Sequence, residues 1–135
     1  MIKLLAFIYR SLLSLRYRVE VTGADLLKTD SPLLILPNHV ALVDPQIIFS
    51  HLLVHKRVAP VMDEKYYHMP VLTYIFKCLR AVPVPNIGLR NNGDELDYSQ
   101  VMKAIPDALK AGQSVLIYPS GHLAGQGYEA IIGKQ

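Results

Sequence analysis

The chain has 135 residues, and its 14 Lys and Arg against 11 Asp and Glu leave a formal net charge of +3. That length suits one domain with a real core, and its 51% hydrophobic content suggests that some apolar surface stays exposed. The small, scattered positive charge, without an aromatic-basic stripe, argues against a nucleic-acid partner, and a single cysteine, Cys78, excludes an internal disulfide framework.

The first predicted element is a helix over Ile2–Leu15. Its apolar runs are interrupted by charges at Lys3, Arg10 and Arg16, so it is too short and too charged to span a bilayer, which takes about 20 apolar residues. It also lacks the cleavage pattern of a signal peptide. On a helical wheel Lys3, Arg10 and Ser14 fall together against a wide apolar sector. Residues 1–16 therefore read as an in-plane amphipathic anchor whose basic side chains meet anionic headgroups, with packing on the domain's own core as the alternative.

Residues 17–135 read as one α/β domain. Strands are predicted at Tyr17–Val21, Leu33–Leu36, Arg57–Val61, Ala81–Val84 and Ser114–Tyr118. Helices are predicted at Pro45–His55, Val71–Leu79 and Leu96–Ala111, the last kinked or broken at Pro106 and preceded by the polar loop Asn91-Asn92-Gly93-Asp94. Strands alternating with helices imply a mostly parallel central sheet flanked by helices. His51 and His55 lie four apart on one helix face, but no third ligand follows at a recognisable spacing. They read as surface residues, and no metal is expected.

The junction between the second strand and its helix carries the clearest chemistry. The run Pro37-Asn38-His39-Val40-Ala41-Leu42-Val43-Asp44 sets a histidine and an aspartate in H-x-x-x-x-D spacing. An imidazole can take a proton from an alcohol near neutral pH, and a carboxylate on its other nitrogen fixes the tautomer and stabilises the imidazolium. Asp44-Pro45 is also a favoured helix start, with Asp as N-cap and Pro at the first helical position, and in that reading Asp44 needs no histidine. At the other end of the chain, the turn Pro119-Ser120-Gly121 follows the strand at Ser114–Tyr118. Ligands collect at strand carboxyl ends in open α/β sheets, and there Gly121 permits close backbone approach while Ser120 and His122 add polar groups. An ordinary surface loop is the alternative.

Three segments, Asn38-His39 to Asp44, Leu79 to Asn86, and Val115-Leu116-Ile117-Tyr118-Pro119-Ser120-Gly121, resemble in order and separation the blocks of the glycerolipid acyltransferases. This family includes the 1-acylglycerol-3-phosphate acyltransferases and the bacterial lysophospholipid acyltransferases. The resemblance runs from about Val19 to the C-terminus. It implies transfer of an acyl group from a thioester, acyl-CoA or acyl-carrier protein, to a hydroxyl of a lysophospholipid or related glycerolipid. His39 would be the general base and Asp44 its orienting partner, with no cofactor beyond the co-substrate and with peripheral attachment at the cytoplasmic face of a membrane. The substrate-binding positions that follow are Asn38, Arg80, Asn86, Pro119, Ser120, Gly121 and His122.

The departures from the family pattern are specific. Asn86 stands where an Arg commonly grips a phosphate, and Ser120 and Leu123 replace the Glu and Arg of the third block. An amide cannot replace a guanidinium on a phosphate monoester, so the acceptor is expected to differ from glycerol 3-phosphate or lysophosphatidic acid unless Arg80 or Arg90 compensates. The resemblance also implies a further strand and a fourth motif beyond Gln135, so the chain reads as truncated near its C-terminus. A non-catalytic lipid- or acyl-carrier-binding module is the alternative function. A hydrolase is a third reading, without a G-x-S-x-G elbow to favour it.

Overall fold

The computed structural model describes residues 2–84 and 99–120. Asn86, Arg90, the Asn91–Asp94 loop, Gly121, His122 and Leu123 lie outside those residues. Four short strands, β1 (Leu34–Ile35), β2 (Val58–Asp63), β3 (Val82–Val84) and β4 (Ser114–Leu116), form one sheet in the order β1-β4-β2-β3, and every pairing is parallel. Among the described residues five α-helices, α1 (Ile2–Ser14), α2 (Asp44–His55), α3 (Glu64–Tyr67), α4 (Pro70–Leu79) and α5 (Ser99–Lys110), and one short 3-10 helix, Ala24–Lys28, accompany it. This is the α/β architecture, with helices flanking a parallel sheet, that the alternation of elements predicts.

The central strands β2 and β4 are short apolar runs closed off on both faces. Val58, Ala59, Val115 and Leu116 are buried, and so is Ser114, whose hydroxyl accepts the Leu33 amide at 3.0 Å and ties β4 to the strand beside it. Fully burying a side chain such as Leu116 or Val58 contributes about 1.5–3 kcal/mol. Pro60 has no N–H to give to a ladder, and it stands where β2 changes partner. Val58–Pro60 pair with β4, whereas Val61–Asp63 pair with β3.

Helix α2 links two apolar clusters. Leu52 packs with Val58 and Leu116 on the sheet side, while Leu53 packs with Ala6 of α1 and Leu79 of α4. Lys3 at the start of α1 shares a cleft with His55, Lys56 and Arg57 at the end of α2, so the two helices run antiparallel. The end of α4 closes at Arg80, which adopts a left-handed conformation (φ 54°) and donates its N–H to the Lys77 and Phe76 carbonyls. Beyond α5, Gly112 takes the positive φ (78°) of a helix stop, as the Lys110-Ala111-Gly112 pattern predicts.

Three local expectations fail, the second in part. Residues 17–21 form no strand, although Tyr17, Val19 and Val21 alternate as one would: Val19 and Val21 are exposed, and no strand among the described residues offers them a ladder. Pro106 does not break α5, which runs continuously through it, so of the kink or break expected there the break is ruled out. The carbonyl deprived of a partner belongs to Met102, and both Met102 and Pro106 are exposed residues. Nor is Asp44 the N-cap of α2. Val43 holds that place, Asp44 is the first helical residue, and its carboxylate turns back toward the preceding loop.

Candidate active site

In a parallel sheet all strands deliver their following loops to one edge. Strands β1 and β4 are neighbours, and beyond them the Ile117 amide donates to the Ile35 carbonyl at 3.0 Å, so the segments carrying His39 and Tyr118 leave the sheet side by side. The loop after β1 folds back on itself, with the Asp44 amide donating to the Ala41 carbonyl at 3.1 Å. One oxygen of Asp44, Oδ2, accepts the amides of Val40 and Ala41, each at 2.7 Å. The same oxygen lies 3.5 Å from His39 Nδ1. Both side chains are mostly enclosed, at 19% and 18% exposure.

These distances rank the tasks of Asp44. A hydrogen bond to a charged acceptor is worth about 1.5–3 kcal/mol, whereas a 3.5 Å contact is at the outer limit of hydrogen bonding. The carboxylate first shapes the loop and then faces the imidazole. Catalytic hydrogen bonds are often long without substrate and tighten when it binds. His39 Nδ1 toward the carboxylate leaves Nε2 as the nitrogen that can take a proton.

A third residue, missed by the sequence reading, completes the cluster. The ring of Tyr118 lies against the His39 imidazole with centroids 4.4 Å apart and planes tilted by 34°. Its hydroxyl is buried and has no hydrogen-bond partner among the described residues. Burial first, and then the nearby Asp44 charge, push the phenol well above its usual range, so it stays protonated. The available signal was its position: an aromatic at the exit of a strand adjacent to the one that delivers His39.

A cavity of about 410 Å³ opens along α2 from Pro45 onward, lined by neither His39 nor Asp44. Its floor is Pro45, Phe49 and Leu53 of α2, and its walls are Leu5, Ala6 and Tyr9 of α1 on one side and Leu72, Ile75 and Leu79 of α4 on the other. The lining is nearly all apolar, and the sulfur-bearing Cys78 contributes to it as a small hydrophobe.

A family model described as Acyltransferase matches residues 18–130. The chain belongs to the Acyltransferase family. No curated protein and no solved structure gives a significant match. Acyl transfer is therefore the reaction class of this protein, and the family is the one to which its three sequence blocks pointed.

In this acyltransferase the other positions singled out in the sequence are spread more widely. Asn38 is exposed beside His39, and Pro119 and Ser120 form the turn after Tyr118, on the same sheet edge. Arg80 lies apart from them, exposed ahead of β3 at the side of the sheet opposite β1. The sequence reading also passed over Asp63, the last residue of β2, and Lys65 just after it, on the edge that carries His39. The Asp63 carboxylate accepts the Lys65 amide at 2.9 Å, and the Lys65 ammonium stands 3.5 Å from that carboxylate and 4.6 Å from the Tyr66 ring centroid. Contact with the Tyr66 side chain, foremost, and with Asp63 holds the ammonium charged.

Proposed function

We propose that the chain transfers a fatty acyl group from acyl-CoA or an acyl-carrier protein to a hydroxyl of a lysophospholipid or related glycerolipid, with His39 as general base and Asp44 as its orienting partner. The observation that carries this reading is the partly enclosed His39–Asp44 pair on the sheet edge of a chain that matches the Acyltransferase family. In the reaction, His39 Nε2 takes the proton of the acceptor hydroxyl as its oxygen attacks the thioester carbonyl. The tetrahedral intermediate then collapses, the C–S bond breaks, and the thiolate leaves and is protonated by the imidazolium. No covalent acyl-enzyme is needed, nor any cofactor besides the thioester. The acyl chain lies in the cavity along α2, and holding both substrates in place supplies much of the acceleration, up to about 7–11 kcal/mol in favourable cases.

The replaced residues narrow the acceptor. With Asn86, Ser120 and Leu123 where the family commonly carries Arg, Glu and Arg, the preferred acceptor is a lysophospholipid with a zwitterionic headgroup rather than one with a bare phosphate monoester.

Attachment is peripheral, at the cytoplasmic face of a membrane with anionic lipids. No helix among the described residues is long and apolar enough to cross a membrane. Instead α1 docks through Ala6 and turns Leu4, Phe7 and Leu12 outward at 62%, 59% and 58% exposure. Packing on one face leaves an exposed apolar face, which supports the reading of α1 as an amphipathic anchor.

The test is thiol release from a long-chain acyl-CoA with a panel of lysophospholipids, comparing the chain with its His39→Ala variant. Acceptor-dependent release that the variant loses by 100-fold or more, on the order expected for a general base, supports the reading. Acceptor-independent release indicates a hydrolase. No release from either folded protein indicates a binding module.

A further inference from the structure

We propose that the ring of Tyr118 is the positioning group that holds the His39 imidazole in the plane from which it can face Asp44 and substrate. The inference rests on the reading of His39 as the base. The carboxylate alone gives the imidazole a loose hold. Its Oδ2 is already engaged by two amides at 2.7 Å, and His39 Nδ1 stands off at 3.5 Å. A single contact at the ring's edge selects a nitrogen but leaves the plane free to swing. Tyr118 supplies the missing constraint, because it lies against the imidazole at 4.4 Å between centroids.

The tyrosine is itself fixed. It packs against the buried cluster of Leu52, Val58 and Leu116, and the residue before it is bonded to Ile35 across the neighbouring strand. The hydroxyl makes no hydrogen bond among the described residues, so the ring, not the phenol, performs this task. An aromatic face also suits the cation that forms when the base takes its proton.

Two readouts test the proposal on Tyr118→Phe, Tyr118→Leu and Tyr118→Met, the last a flexible, longer side chain in case the leucine variant fails to fold. In NMR, the His39 ring-proton signals, assigned by their loss in His39→Ala, are displaced by the Tyr118 ring current. They should stay displaced in the phenylalanine variant and relax in the leucine and methionine variants. In kinetics, the aliphatic variants should lose on the order of 10- to 100-fold in kcat, with KM for the donor changed by no more than about twofold, and phenylalanine should restore kcat. Undisplaced His39 signals in the unsubstituted chain, the same signals in all variants, or an unchanged kcat in the aliphatic variants would overturn it. If the unsubstituted chain releases no thiol with any acceptor, the acyl-transfer reading fails, and the NMR comparison alone decides the role of Tyr118.

Discussion

Asp44 spends one oxygen on three neighbours, and the cost of removing it should reflect that. Asp44→Ala deletes two charge-assisted bonds to backbone amides as well as the partner of His39, so a loss of about 3 kcal/mol is expected. His39→Ala forfeits mainly the ring contact with Tyr118, worth about 0.5–1.5 kcal/mol. Denaturant melts of the two variants should therefore show the aspartate variant as the less stable, while both lose activity. The opposite order would mean that the carboxylate serves the histidine first and the loop second. Tyr118→Phe makes the contrary prediction. It removes a buried hydroxyl without a partner among the described residues and should stabilise the chain by roughly 1–3 kcal/mol. The phenol of Tyr118 is raised above its ordinary value of 10.0, so the folded chain keeps a proton that the unfolded chain releases. That contribution to stability is complete below about pH 10 and is lost as pH rises further. The alkaline limb of the stability curve should be shallower in Tyr118→Phe, and thermal melts across that range measure it.

Whole elements were legible where the sequence alternates short apolar runs with helix-length segments. The runs that become β1, β2, β3 and β4, and those that become α2 and α4, are bounded by Pro, Gly or charge, and their predicted and observed limits overlap. What escaped was either very short, as with Ala24–Lys28 and α3, or dependent on partners the pattern cannot supply. Residues 17–21 alternate correctly but find no ladder among the described residues, and Pro106 lies on an exposed stretch of α5. Helix α4 offers a direct test of the cavity it walls. Ile75 lines that space and is only partly covered, so Ile75→Trp can add bulk without disrupting the core. The expected outcome is a shift of donor preference toward shorter acyl chains, with kcat/KM for the longest donor falling on the order of 10-fold relative to a short one. Equal rates along a chain-length series would show that the acyl group lies elsewhere.

Across the whole molecule, the candidate site divides into a part the sequence exposes and a part only the fold assembles. His39 and Asp44 share one loop, so their spacing could be read directly. Tyr118 reaches them because β4 pairs with β1, and the cavity needs three helices brought together around α2, neither of which any local pattern reports. The outward face of α1 is likewise a property of the docked helix. Replacing Leu4, Ile8 and Leu12 together by Ser should weaken binding to anionic vesicles by roughly 100-fold while leaving the melting temperature nearly unchanged, since all three are exposed. Sedimentation with vesicles measures the first and calorimetry the second. The inner face of the same helix has a different consequence. Ala6 belongs to the cluster with Leu53 and Leu79, and Leu5, Ala6 and Tyr9 wall the cavity. Cutting α1 away would therefore open the apolar trough to water at the same stroke as it removed the outward leucines, so a truncated chain confounds two losses that side-chain changes on opposite faces of one helix keep apart.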